Sequence, residues 1–188
     1  MSVRKVKPYG NSDFIQKTID IDRKLPLIQS LSDLNGYEKE FNRWEYLSIY
    51  QSLAEAELWN DCSWEERELL SPLVQFYFDN YNRPVLVYPR FEPLAQENES
   101  FRFEEEECLS ALHLRLARKG MADEEIGSFI ERIIALCEDY DLDETDILYN
   151  LNNLGWNPIF GARIIDFGLN NEAVKKFYWK KKEDENEV

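Results

Sequence analysis

A chain of 188 residues with 44% hydrophobic and 14% aromatic residues can bury one core, or a core with a small satellite, without disulfide staples. Its net charge of −15 sets it against phosphate backbones, because nucleic-acid affinity comes largely from lysine and arginine displacing counterions. No run of about 18 uncharged apolar residues occurs, which argues against a membrane-spanning helix, and the basic opening MSVRKVKPYG lacks the apolar stretch of a secretory signal.

Cys62, Cys108 and Cys137 are odd in number, widely spaced and free of any CxxC pair. That predicts reduced thiols in a cytoplasmic protein and no zinc site. The negative charge is uneven. Residues 1–24 carry a net +3, residues 25–102 a net −8, residues 103–150 a net −10, and the remainder balances.

In chain order, the first predicted element is an extended segment from Lys17 to Asp22, where polar and apolar residues alternate. A long helix from about Tyr37 to Trp59 follows, with Phe41, Trp44, Leu47, Tyr50 and Leu53 on one side. Ser63 and Glu66 have the spacing of a capping box for another helix. Pro72 restarts or kinks that helix, which runs to about Asn80. Val85 to Tyr88, between Pro84 and Pro89, reads as extended and could pair with the first segment as a small ribbon.

The segment FEPLAQENESFRFEEEE predicts the boundary between two halves. Phe103 to Lys119 then reads as a helix, with glutamates in its first turn, Arg115, Arg118 and Lys119 in its last, and Gly120 as the stop. Leu109, Leu112, His113 and Leu116 form its inward stripe. Asp123 caps the next helix, whose Ile126, Phe129, Ile130, Ile133, Ile134 and Cys137 follow helical periodicity.

Asp143 opens a third helix, with Asp146 placed to reach back to the cap and Ile147, Leu148, Leu151 and Leu154 inward. Asn157-Pro158 reads as a cap and first turn, opening a helix that carries Phe160, Ile164 and Phe167 and stops near Gly168. A last helix starts at Asn170 or Asn171 and holds Val174, Phe177 and Tyr178.

The fold predicted is mainly α, an all-helical irregular bundle with the ribbon as accessory. Residues 1–95 form an N-terminal helical region, 103–180 an acidic bundle of about five short helices, and 181–188 a disordered tail.

Chemistry is sparse. His113, the one histidine, lies on a predicted apolar stripe and reads as a packed side chain. Cys108 is five residues away, more than a helical turn, so the two cannot form a nucleophile pair. The run Glu138 to Asp146 has the acidity of a calcium loop. A loop starting at Asp139, however, would need glycine at Glu144, an apolar residue at Asp146 and glutamate at Asn150. Asp20 and Asp22 share a predicted strand face with no recognisable further ligands.

The segment ARIIDFGL, Ala162 to Leu169, contains the Asp-Phe-Gly triplet of protein kinases, and Asp141-Leu142 followed by Asp146-Ile147-Leu148 echoes their catalytic loop. The mechanism also needs a glycine-rich phosphate cover, a paired lysine and a metal-binding asparagine. Asp139 and Tyr140 stand where His-Arg belongs, and twenty residues follow Gly168. The sequence therefore reads the triplet as coincidence and Gly168 as a helix stop.

The helix pair 124–138 and 143–154 has the outline of a helix-turn-helix. Its second helix opens with Asp143, Glu144 and Asp146, the wrong sign for DNA.

What remains is a non-enzymatic binding or regulatory protein. It would act through its acidic surface on a basic or nucleic-acid-binding protein partner, in one version as a nucleic-acid mimic or inhibitor. No cofactor, metal, direct nucleic acid or membrane is expected. The partner-binding candidates are Tyr81, Arg83, Tyr88 and Arg90, within an aromatic cluster that includes Tyr77, Phe78 and Phe91, and the acidic Glu138, Asp139 and Asp141. A basic face of Lys175, Lys176 and lysines 180–182 beside Trp179 is a lesser candidate. Two alternatives stand beside this reading. One is a structural subunit of a larger complex. The other is an enzyme with an unfamiliar carboxylate site, whose sign would be buried carboxylates converging in a cleft.

Overall fold

The structure is a computed structural model that describes residues 4–10, 13–95 and 105–179. Most of the expected boundary segment, lysines 180–182 and the expected tail lie outside the described residues. In chain order the elements are β1 (Arg4–Tyr9), β2 (Phe14–Ile19), α1 (Leu31–Leu34), α2 (Arg43–Asp61), α3 (Trp64–Arg67), β3 (Gln75–Phe78) and β4 (Pro84–Pro89). They continue as β5 (Glu92–Pro93), α4 (Glu105–Arg118), α5 (Asp123–Asp139), α6 (Glu144–Leu148), β6 (Leu154–Asn157), β7 (Gly161–Ile164) and α7 (Asn171–Val174), with a π-helical turn at Lys175–Trp179.

The chain divides into two compact units. The first is drawn from residues 1–61, 72–90 and 168–188, the second from 62–71 and 91–167.

The first unit is an antiparallel sheet of order β1-β2-β4-β3 with α2 packed on β2 and β4. Strand β4, PVLVYP, is buried along its whole length; proline at each end stops the ladder, and the apolar run between suits an inner strand. The two segments expected to form an accessory ribbon do pair, with Lys17 opposite Leu86, but as the two inner strands of a four-stranded sheet. Helix α2 buries Leu47, Ile49, Leu53 and Ala56, but also Ser48, Ser52 and Glu55. The two serines give their hydroxyls back to the helix, Ser48 to the Trp44 carbonyl at 2.8 Å and Ser52 to the Ser48 carbonyl at 2.9 Å. Glu55 has no such internal outlet. Gly168 lies against the same helix: a Cβ there would sit 2.4 Å from the Gln51 carbonyl oxygen.

In the second unit, α3 opens on the expected capping box of Ser63 and Glu66. Helices α4 and α5 bury Cys108, Leu112, Leu116, Ile126, Phe129, Ile133 and Leu136. A small sheet of order β5-β6-β7 follows. Strand β7 also bonds to the segment after α3, with the Ile164 amide donating to Leu69 at 2.7 Å and the Ser71 amide to Ile164 at 2.8 Å.

The mainly α, all-helical expectation is therefore wrong, because two antiparallel sheets of four and three strands make this an α+β fold. Two predicted helices are strands. Gln75–Phe78 is β3 rather than a continuation past Pro72. Residues 157–164 form a hairpin turn and its return strand. The Asn157 side chain accepts from the amides of Ile159 and Phe160, at 2.8 and 3.3 Å, and Gly161 turns the chain at φ 72°. An Asx turn and a helix cap use the same side-chain oxygen, which explains the misreading. No helix among the described residues is long and apolar enough to cross a membrane.

Candidate functional site

Two constellations of buried charge stand out, one in each unit.

In the first unit Glu55 is fully buried on the sheet-facing side of α2. Lys17, on β2 and itself buried, donates to both of its oxygens at 3.1 Å. Arg4 of β1 bonds Oε1 at 2.5 Å. The Tyr88 hydroxyl, from β4, donates to Oε2 at 2.7 Å. The Lys17 ammonium also lies 5.1 Å from the centre of the Tyr88 ring. Each strand contributes by alternation: Lys17 sits two residues from Ile19 and so shares its inward face, and Tyr88 sits two from Leu86. A buried carboxylate costs several kcal/mol of desolvation unless cations and hydrogen bonds compensate it. Here three residues do so.

The second unit treats its buried carboxylate in the opposite way. Asp146, on the one-turn helix α6, is half-buried, and its acidity is pushed up to about 6, chiefly by burial and then by the negative charge of Asp166. Asp143 adds to the rise, while Asn150 and Asn153 oppose it. Asn150 donates to Oδ1 at 3.4 Å, and Asn153 donates to the Asp146 backbone carbonyl at 2.9 Å. Helix α6 is capped by Asp143, whose side chain accepts from the Thr145 amide at 3.1 Å. Asp146 is thus not the capping-box partner that the sequence suggested; its Oδ1 accepts from Asn150 instead. Asp166 follows β7 directly, in the Asp166-Phe167-Gly168 triplet.

The second unit also contains an open cleft of about 570 Å³ between α5 and the β6–β7 hairpin, bordered by Glu68, Phe129, Arg132, Trp156 and Arg163. Arg132 donates to the Glu65 carbonyl at 2.6 Å and stands 3.6 Å from Glu68. Arg163 donates to the Ala162 carbonyl at 2.7 Å, while its buried Nε has no hydrogen-bond partner. The cleft brings no histidine or cysteine to its border.

The expected site residues are dispersed. Tyr81 is exposed beneath the Arg83 guanidinium, 4.9 Å from ring centre to charge, and Arg83 is clamped by Asp79 at 2.6 Å. That clamp, with hydrogen bonds from the Arg83 and Tyr81 amides, holds the Asp79 carboxyl below its ordinary value despite burial. Arg90 is exposed. Tyr88 is 1% exposed, so it belongs to the Glu55 cluster and not to a surface. Glu138 and Asp139 are exposed at the end of α5, and Asp141 follows with a left-handed backbone at φ 51°.

His113 is not packed on the inward stripe. It is exposed, with Nε2 2.9 Å from Asp123. Cys108, Leu112 and Leu116, spaced by four, take the inward positions. Cys137 is buried and pushed up to about 12, mainly by desolvation, which leaves it a poor nucleophile. Lys176 packs over the Tyr46 ring and pairs with Glu38, so that part of the basic face is spent within the unit.

Sequence reasoning passed over Glu55 and its pairing with Lys17, and met Asp146 and Asp166 only as parts of motifs it set aside. The available signal was a glutamate on the apolar side of a long helix, at i+7 from Ser48. Among the described residues no group of three or more histidine, cysteine or acidic side chains is arranged to hold a metal. No family model matches the chain, and no curated protein or solved structure matches it either.

Proposed function

We propose that this protein acts by docking a basic protein partner on the acidic face of α5. The observation that carries the reading is the exposure of Glu124, Glu131, Glu138 and Asp139 along α5, the first three spaced by seven residues and so on one side of the helix. Such a complex would weaken steeply with salt. Capture of the same proteins at low and high salt would count against it.

A further inference from the structure

We infer that the cleft of the second unit is a binding site for a small aromatic carboxylate, whose charge pairs with Arg163 and whose ring lies against Phe129 and Trp156. The inference is independent of the docking proposed above, which uses the glutamates of α5 and not the arginine of the hairpin. Every residue lining the cleft belongs to the second unit. Its volume of about 570 Å³ falls in the range of roughly 300–1,000 Å³ that takes a small molecule. Strand β7 supplies Arg163 and β6 supplies Trp156. Helix α5 supplies Phe129 and Arg132, three residues apart and hence neighbours along the helix surface.

Arg163 is the group that the fold leaves without a full set of partners. Its Nη1 donates to the Ala162 carbonyl at 2.7 Å, and its buried Nε has no hydrogen-bond partner. Among the described residues it forms no ion pair. Burial, the largest influence, makes its charged form less favourable than in water; Glu68 opposes that effect and Arg132 adds to it. Glu68 also faces Arg132, at 3.6 Å, so one carboxylate serves two guanidinium groups. A partly buried cation in this position gains from an entering anion. A carboxylate matches a guanidinium in shape as well as in sign.

The other acids on the border limit what the anion can be. Glu125 is committed to the Ala122 amide at 2.9 Å. Glu124 is exposed, and its charge disfavours a ligand with more than one negative group. A monocarboxylate therefore fits better than a phosphate. Phe129 is buried and Trp156 half-buried, so a flat apolar body laid against them takes exposed indole surface out of water.

The test titrates the full chain by calorimetry with cinnamate, its neutral isostere cinnamamide, and acetate. Cinnamate should bind saturably, with a dissociation constant of about 1 mM or below. Cinnamamide should bind at least tenfold more weakly, for want of the charge, and acetate more weakly still, for want of the ring. Arg163→Gln should weaken cinnamate about tenfold and leave cinnamamide unchanged. Trp156→Leu should weaken both and preserve the ratio between them. Melting curves establish that the variants fold; if Arg163→Gln does not, Arg163→Lys decides in its place, with a loss of about threefold from the missing planar fork. The inference is overturned if cinnamate does not saturate, if cinnamamide binds equally well, or if the Arg163 variant binds cinnamate as the wild type does.

Discussion

The two units handle buried carboxylate charge in opposite ways. Glu55 is surrounded by Lys17, Arg4 and the Tyr88 hydroxyl, so burial there is compensated. Asp146 is half-buried near another acid, Asp166, and two asparagine amides offset only part of the cost. A folded protein rarely keeps two acids together for the sake of stability. The first cluster is a compensated frame, whereas in the second, burial and a nearby acid hold the Asp146 carboxyl above its ordinary value.

The largest effect expected follows from breaking the frame. Glu55→Ala leaves Lys17 and Arg4 buried without the carboxylate they share, and loss of one partner from a buried pair costs about 3–5 kcal/mol. Urea unfolding would read it directly. A loss below about 1 kcal/mol, the range of exposed pairs, would mean that Glu55 is not buried as described.

Asp146 should behave in the opposite sense. An acidity raised to about 6 from an ordinary value near 3.9 amounts to about 3 kcal/mol at 1.36 kcal/mol per tenfold change. The native state binds this proton more tightly than the unfolded chain does. The group's contribution is therefore fully present below about pH 4 and lost as pH rises through about 6. Asp146→Asn, which never ionises, should be more stable than wild type at pH 7.5 by about 1–3 kcal/mol. The advantage should vanish near pH 4. A variant equally stable or weaker at pH 7.5, with no change in the difference on acidification, would remove the contrast between the two sites.

How much of this was legible in the sequence differs between the sites for physical reasons. Helices α4 and α5 and the Ser63 capping box carry local signals, in dipole-matched charges, periodic apolar residues and a cap, and they appear where expected. The Glu55 cluster joins β1, β2, α2 and β4 across up to 51 residues, and no local pattern encodes such a meeting. The Asp-Phe-Gly triplet was visible but isolated.

Gly168 shows the same limit. Its sequence role as a helix stop implied a tolerant position, whereas its Cβ would meet the Gln51 backbone at 2.4 Å. Backbone cannot yield as a flexible side chain does, so Gly168→Ala should cost about 1–3 kcal/mol, the range of overpacked sites. A neutral outcome would show that α2 and this segment are not in contact.

The smallest effect is the most decisive in sign. If residues 157–167 formed the helix that Asn157-Pro158 suggests, Gly161 would lie inside it, and Gly161→Ala would stabilise by about 0.5–1 kcal/mol through helix propensity. In the hairpin, Gly161 has φ 72°, a region that costs an L-residue about 1–2 kcal/mol. A Cβ there would find open room, the nearest atom being the Arg163 guanidinium at 3.9 Å, so conformation alone sets the outcome. Gly161→Ala should therefore lower stability by about 1 kcal/mol. The hairpin delivers Asp166 to its place beside Asp146, so a stabilising alanine would take away the acidic pair along with the strand.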